Sequence, residues 1–232
     1  MLSESEWAET FLHQEALGCI MDATQCANAL CPAIYTIKGK LMPKEFELKY
    51  RANDRSVDAI REKYGDFQEI AMETTYYGTE DGALSRRRWT LRQRMENGVS
   101  VCTLKTPGGA HARNEFQTEA ADILTAIPLL CSLGAPEALK ELTKNGVTPI
   151  CGAKFTRLAK TLATDTVTVE LALDRGYLTG GSKFLPLCEV EVELKDGTEE
   201  AAAAFAETLA AEFGLISESR SKFSRALQLA MI

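Results

Sequence analysis

The stretch Glu189-Val190-Glu191-Val192-Glu193 places a carboxylate on every second residue and a valine between each pair. Because side chains alternate between the two faces of a strand, this pattern predicts a β-strand with one acidic and one apolar face. Three like charges on one face repel each other unless water, cations or basic side chains offset them. Both the charges and the valines are accommodated if the carboxylates point into a water-filled interior and the valines pack against other elements on the outside.

Polar or charged side chains also alternate in three other stretches, namely Glu45-Phe46-Glu47-Leu48-Lys49, Leu91-Arg92-Gln93-Arg94 and Val101-Cys102-Thr103-Leu104-Lys105. Residues two apart on a strand are separated by roughly 6.6 Å, so Glu45 and Glu47 can flank hydrated metal ions. Mg²⁺ typically takes one or two carboxylates and leaves its other positions to water and phosphate oxygens. Taken alone, this first stretch is more typical of a solvated edge strand. The Glu189–Glu193 triplet favours a charged lining instead.

The basic residues of these stretches suit phosphate. Arg92 and Arg94 share a strand face, and guanidinium groups offer planar, bidentate donors to phosphate oxygens, whereas Lys105 supplies a compact point charge. On the acidic side, Glu170 and Asp174 fall on one face of a predicted strand and extend the acidic wall. Further basic candidates, each by itself typical of a surface residue, are Arg113, Lys154, Arg157, Lys222 and Arg225.

The composition is that of a globular protein, with 232 residues, 45% hydrophobic and 25% charged. The net charge of -7 argues against a general nucleic-acid binder, which is normally basic. Seven cysteines without framework spacing predict reduced thiols in a cytoplasmic protein, and no stretch reaches the apolar length of a membrane span. With only two histidines, a histidine-based triad or metal site is disfavoured, and no P-loop sequence is present.

The first 41 residues differ from the rest. They begin acidic, which is wrong for a signal peptide. We expect an N-terminal extension that either forms a short amphipathic helix ended by Pro32 or is not natively translated, with translation starting at Met42. The spacing of Cys19, Cys26 and Cys31 fits no paired-cysteine zinc pattern.

Period-two signals predict strands at about 44–51, 70–78, 86–95, 98–106, 112–118, 151–160, 164–174 and 187–195. Eight such strands are enough to close a small barrel. Helical spacing predicts helices over Asn53 to Lys63, Thr118 to Leu133, Pro136 to Lys144, Thr198 to Phe213 and Glu218 to Leu229. No internal repeat or low-complexity linker divides the chain from residue 42 onward, so we predict one α+β domain over 42–232.

The charged motifs, taken in chain order, are similar to those of one protein family. Glu45-Phe46-Glu47-Leu48-Lys49 resembles the Glu-x-Glu-x-Lys signature of the CYTH, or triphosphate tunnel metalloenzyme, superfamily, and the resemblance covers about residues 42–232. The other motifs follow in the family's order: Tyr76-Tyr77-Gly78-Thr79, Leu91-Arg92-Gln93-Arg94, Thr103-Leu104-Lys105, Arg113-Asn114-Glu115, Lys154-Phe155-Thr156-Arg157, Glu170 with Asp174-Arg175-Gly176, Glu189-Val190-Glu191-Val192-Glu193 and Ser221-Lys222-Phe223-Ser224-Arg225. Gly78 is a departure, since the family usually has aspartate there.

The resemblance implies an α+β fold in which an eight-stranded antiparallel β-barrel forms a tunnel and helices pack on the outside. It also implies which residues bind phosphate, namely Lys49, Arg92, Arg94, Lys105, Arg113, Arg157, Lys222 and Arg225. The residues implied to bind metal or orient water are Glu45, Glu47, Glu170, Glu189, Glu191 and Glu193.

The activity expected from the resemblance is metal-dependent hydrolysis of inorganic triphosphate to pyrophosphate and phosphate. Mg²⁺ or Mn²⁺ is the expected cofactor, and Glu45, Glu47 and Lys49 are the expected catalytic residues. A small-molecule polyphosphate is the expected partner, without nucleic acid or membrane. Thiamine triphosphatase and class IV adenylate cyclase activities are the alternatives within the superfamily. A non-catalytic polyphosphate or nucleotide sensor is the alternative of another class, although the intact acidic strands favour catalysis.

Overall fold

The computed structural model describes residues 46–108 and 113–231, which contain nine strands and six helices. The strands are β1 (Glu47–Arg51), β2 (Gln68–Gly78), β3 (Thr90–Glu96), β4 (Val99–Pro107), β5 (Arg113–Glu119), β6 (Thr148–Ala163), β7 (Val167–Gly180), β8 (Lys183–Gly197) and β9 (Ile216–Ser217). The helices are α1 (Asp54–Tyr64), α2 (Ala83–Arg86), α3 (Ile123–Ser132), α4 (Ala138–Thr143), α5 (Glu199–Phe213) and α6 (Lys222–Met231). The predicted N-terminal extension and Glu45 lie outside the described residues.

All strands join one antiparallel sheet in the order β5-β4-β3-β2-β6-β7-β8-β1-β9. This confirms the predicted antiparallel α+β fold. The ninth strand, which the sequence did not predict, is only two residues long and pairs with the end of β1. Among the described residues no pairing joins β5 to β9, so the pairings form an open series rather than a closed ring.

Several predicted element boundaries were wrong, among them the start of the helix predicted from Thr118, which begins at Ile123, and two others show the cause. The strand predicted from residue 86 begins at Thr90, because α2 and a left-handed Arg88 (φ 58°) precede it. The last helix begins at Lys222 rather than at Glu218, whose backbone N–H donates to the Lys49 carbonyl oxygen beside β1. Both differences come from turn geometry and tertiary pairing, which hydrophobic periodicity does not report.

The outer face of the sheet is apolar and covered by helices in two places. Over β1, β7 and β8, helices α1 and α5 bury a cluster that includes Val190 and Val192. Over β3, β4 and β5, helices α3 and α4 bury a second cluster that includes Leu104 and Phe116. This burial explains the apolar residues between the charges, since fully burying each such side chain stabilises the fold by about 1.5–3 kcal/mol.

Side-chain caps begin the helices that cover the acidic strands. Asn53 Oδ1 accepts a hydrogen bond from the Ser56 backbone N–H at 3.0 Å, and Thr198 Oγ1 accepts one from Ala201 at 3.1 Å. Each cap satisfies a backbone donor that the helix leaves unpaired. Helix α5 ends at Gly214, whose φ of 64° suits glycine. None of the described helices is long and apolar enough to cross a membrane.

Helix α6 lies on the opposite, charged face. Its Ala226 and Phe223 pack against inward residues of β2, β6, β7 and β8, among them Tyr76, Phe155 and Leu187. The register places these residues on the same face as the charged side chains of their strands. Helix α6 therefore covers one end of the charged face through apolar contacts, and the polar residues of that face lie beyond these contacts.

Candidate functional site

The acidic residues of β1, β7 and β8 form rows across the charged face. Glu47 pairs in register with Glu193, which pairs on its other side with Glu170. Further along β8, Glu189 pairs with Asp174. Because paired residues of neighbouring strands point to the same face, every described carboxylate predicted to bind metal lies on one side of the sheet. That side divides into two parts with different surroundings.

The first part is a buried charge cluster with three carboxylates and three cations: Asp174, Glu189, Glu191, Arg157, Lys222 and Arg225. Asp174 and Glu189 are 0% exposed. Arg157 donates two hydrogen bonds to Asp174, from Nε at 2.8 Å and from Nη2 at 2.7 Å, and also contacts Glu191. Arg225 contacts Glu189. The cluster therefore joins β6, β7, β8 and α6 through charge-assisted hydrogen bonds, which are stronger than neutral ones.

Lys222 lies at the centre of the buried charge cluster. Its Nζ is 2.8 Å from Asp174 Oδ2 and 2.6 Å from Glu189 Oε1, and it also contacts Glu191 Oε1. The same Nζ lies 5.3 Å from the centre of the Phe155 ring. One ammonium group is thus shared by three carboxylates.

The pKa values in the cluster follow from this arrangement. Burial raises the pKa of Glu189 to about 7, although Lys222 opposes the shift. Burial also disfavours the charged form of Glu191, but Lys222 and Arg157 outweigh it and hold the pKa of Glu191 well below its ordinary value. Burial disfavours charge on Lys222 too, yet the three carboxylates raise its pKa. Glu191 and Lys222 therefore stay ionised near neutral pH.

The second part consists of the rim carboxylates Glu47, Glu170 and Glu193, whose side chains are 22%, 26% and 28% exposed. Lys49 Nζ lies 3.3 Å from Glu47. Lys195 Nζ lies 2.9 Å from Glu193 and 3.7 Å from Glu170. These lysines are also partly exposed, so the rim is open to small ions and water.

Lys195, which pairs with both Glu170 and Glu193, was not among the predicted site residues. It stands at a shift in register, since Leu194 pairs with Val169 and Asp196 with Thr168. Such a bulge redirects a side chain and is common beside functional sites. The signal was present, because Glu193-Leu194-Lys195 continues the alternation of the preceding triplet.

The basic wall consists of Arg92, Arg94 and Lys105 on β3 and β4. Arg92 Nη2 lies 3.4 Å and Lys105 Nζ 2.8 Å from carboxylate oxygens of Glu115 on β5. Arg94 Nε donates to Glu96 at 2.6 Å. The buried Arg92 Nε has no hydrogen-bond partner within the described part of the chain. These three cations are 15–17% exposed, which leaves a narrow approach for an anionic ligand.

Tyr76 stands between the basic wall and the buried charge cluster. It pairs in register with Arg92, and its ring lies 5.0 Å from that of Phe223 in α6. Burial raises its pKa, whereas the positive charges of Arg92 and Lys222 act to lower it. Tyr76 therefore lies beside both Arg92 of the basic wall and the first turn of α6.

Two other predicted basic residues lie away from these groups. Arg113 is exposed at the start of β5, on the same face as Glu115. Lys154 points to the other face of the sheet, where it is 58% exposed and pairs with Glu73 at 3.1 Å. This placement agrees with the interpretation of Lys154 as a surface residue, because Lys154 and Arg157 are three residues apart on β6 and so point to opposite faces.

The carboxylates fit a hard divalent cation. Oxygen atoms of Asp174, Glu189 and Glu191 lie within 4.8 Å of one another, and the rim adds three more carboxylates in neighbouring strands. Donor sets made only of oxygen suit Mg²⁺ or Mn²⁺ rather than softer metals.

Comparisons with known proteins agree with this architecture. The CYTH domain family matches residues 43–227. An inorganic triphosphatase from Haemophilus influenzae is 28% identical over 194 residues, which cover 80% of this chain and 54% of that protein. The chain thus spans about half the length of this curated relative.

Solved structures share the fold. A putative adenylate cyclase from Bacillus halodurans superimposes with a TM-score of 0.54 at 18% identity, covering 78% of this chain and 96% of that one. The PH1819 protein from Pyrococcus horikoshii gives 0.54 at 24% identity, with 81% and 99% covered. A putative adenylyl cyclase from Hippeastrum with a dominant triphosphatase activity gives 0.54 at 16% identity, with 78% and 93% covered.

Proposed function

The chain belongs to the CYTH domain family, and from this membership and the geometry of its charged face we propose that it hydrolyses inorganic triphosphate to pyrophosphate and phosphate with a divalent metal. The observation that carries the proposal is the arrangement of the basic wall and the acidic strands on one face of a single sheet. Such a face matches a ligand that combines many negative charges with a cation. The similarity to an inorganic triphosphatase supports the choice of substrate.

The basic wall binds the phosphates in this proposal. Arg92, Arg94 and Lys105 already hold carboxylate oxygens, and phosphate oxygens present the same acceptors with more charge. The buried Nε of Arg92 also lacks a partner within residues 46–108 and 113–231, so a ligand that reaches it would gain one more hydrogen bond. Phosphoryl transfer requires mainly positioning and neutralisation of charge, so fixed cations of this kind lower the barrier. Arg113 and Arg157 are further phosphate candidates.

The acidic residues would hold Mg²⁺ or Mn²⁺, and the candidates are Glu45, Glu47, Glu170, Glu189, Glu191 and Glu193. A bound divalent ion supplies neutralisation of phosphate charge and a more acidic water. Glu47, which the ammonium of Lys49 holds at 3.3 Å, is accessible enough to orient the attacking water and accept its proton. Glu45 is assigned the same role from its motif alone.

A substrate panel tests the proposal. We expect phosphate release from inorganic triphosphate with Mg²⁺ or Mn²⁺, at a higher kcat/KM than from thiamine triphosphate or ATP, with pyrophosphate as the second product. A preference for thiamine triphosphate or formation of cyclic AMP from ATP would replace the substrate assignment. Binding of triphosphate without turnover under any metal would favour the sensor.

Two substitutions test the residues. Glu47→Gln and Arg92→Ala are each expected to lower kcat/KM by about 10²-fold or more, because each removes a charge that acts on the reacting group. Glu141→Gln, in the exposed helix α4, is the matched control and is expected to keep wild-type activity. Unchanged activity in both site variants would contradict the site assignment.

A further inference from the structure

The ammonium of Lys222 occupies a position that would suit a metal ion. It contacts one oxygen from each of Asp174, Glu189 and Glu191. Oxygen atoms of these three carboxylates lie within 4.8 Å of one another, which is close enough to share a metal ion. Asp174 is 0% exposed and Glu191 is 7% exposed, so water cannot stabilise their negative charges. A cation between them must do so instead.

With all three carboxylates ionised, as metal binding requires, the charges of the buried cluster balance. Three carboxylates face Arg157, Arg225 and Lys222. A divalent cation added to this set would leave two uncompensated positive charges away from water, which is unfavourable. If Lys222 withdraws as the metal enters, only one excess positive charge remains, and an anionic substrate can offset it.

Lys222 is the cation best placed to withdraw. Arg157 is held by two parallel hydrogen bonds to Asp174 from within β6, and Arg225 lies one turn inside α6 with 7% exposure. Lys222 is the first residue of α6, so its side chain can turn without breaking the apolar contacts that Phe223 and Ala226 make. The next residue, Phe223, lies 5.0 Å from the ring of Tyr76, which pairs in register with Arg92, so this end of α6 is beside the basic wall.

We propose that Lys222 is a tethered cation that competes with the divalent metal for Asp174, Glu189 and Glu191 and, when displaced, turns towards the phosphates. This inference rests on the metal dependence in the proposed function. Before metal binds, Lys222 holds the three carboxylates in place. After metal has bound, Lys222 contacts the phosphates of the substrate.

Calorimetric titration with Mn²⁺ alone, without substrate, tests the competition. Lys222→Met keeps the length of the side chain and removes its charge, and we expect Mn²⁺ to bind at least about 10-fold more tightly than to the wild type. Lys154→Met, on the opposite face of the sheet, is the matched control and should leave the Mn²⁺ affinity of the wild type unchanged. Equal or weaker Mn²⁺ affinity in Lys222→Met, or an equal gain in Lys154→Met, would overturn the inference.

A second measurement does not depend on how well Lys222→Met folds. In the wild-type protein, Mn²⁺ should accelerate amide hydrogen exchange at Arg225 and in the turn that follows it, because loading removes the ion pairs that hold the start of α6. Slower or unchanged exchange there, with Mn²⁺ bound, contradicts the inference while the proposed function stands. Absence of Mn²⁺ binding in the wild type and both variants would contradict the metal dependence and the inference together.

Discussion

The buried charge cluster and the rim carboxylates both place acidic side chains on β7 and β8, two to four residues apart, yet they have different surroundings. In the cluster, Asp174 and Glu189 are fully buried and each contacts two cations. At the rim, Glu47, Glu170 and Glu193 keep about a quarter of their side-chain surface exposed and pair with the partly exposed Lys49 or Lys195.

The difference comes from helix α6. It covers one end of the charged face and supplies Lys222 and Arg225, so the carboxylates beneath it exchange water for fixed cations. Buried charges without such partners would be strongly unfavourable, whereas partly exposed ion pairs contribute little to stability. We therefore expect the cluster to determine stability and the rim to affect mainly ligand binding.

Replacing Arg157 is expected to lower the free energy of unfolding most, because Arg157 holds two carboxylates of the buried charge cluster. Arg157→Met removes one of the two cations that contact Asp174 and Glu191. Breaking a buried ion pair in this way costs about 3–5 kcal/mol. Urea denaturation at neutral pH measures the loss. Lys195→Met, which removes a rim cation, should change the free energy of unfolding by no more than about 1 kcal/mol. Similar effects of both substitutions would remove the distinction between the two regions.

A smaller, pH-dependent effect is expected at Glu218, a buried carboxylate outside the cluster. Hydrogen bonds from Arg220 lower its pKa to about 2. A carboxylate with a lowered pKa stabilises the fold above its unfolded pKa of about 4.3, and this contribution is lost as pH falls towards the folded value.

Glu218→Gln should therefore lower the free energy of unfolding by about 1–2 kcal/mol at pH 7, since hydrogen bonds to a charged group are replaced. The difference from the wild type should shrink below about pH 4.5. Urea titrations at pH 7, 4.5 and 3.5 measure this trend. A difference that grows on acidification would show that the Glu218 carboxylate is not held ionised by Arg220.

The smallest effect is expected at Lys154, on the opposite face of the sheet. Lys154→Met should keep kcat/KM for triphosphate within about twofold, because an exposed pair with Glu73 contributes little and does not face the ligand. Lys105→Met, which removes a cation from the basic wall, is the comparison in the same assay. A large loss in Lys154→Met would show that the outer face takes part in binding.

Part of this architecture could be predicted from sequence. Alternation placed Glu189, Glu191 and Glu193 on one face, and the register confirms that arrangement. The predicted helix near the C-terminus also exists, but its position inside the charged face was not predicted, and neither was the two-residue β9 that precedes it. The catalytic and metal roles, including that of Glu45 outside the described residues, stay predictions.

The pattern of alternating charges was sufficient for the strands, their polarity and the kind of ligand that the face suits, because side-chain direction in a strand is a local property with period two. Only the tertiary structure determined which carboxylates remain exposed to solvent. Lys222 lies 33 residues beyond Glu189 in the chain, and no local rule relates them. Their contact depends on how α6 packs across four strands, and burial then determines which charges are compensated within the protein and which remain open to solvent.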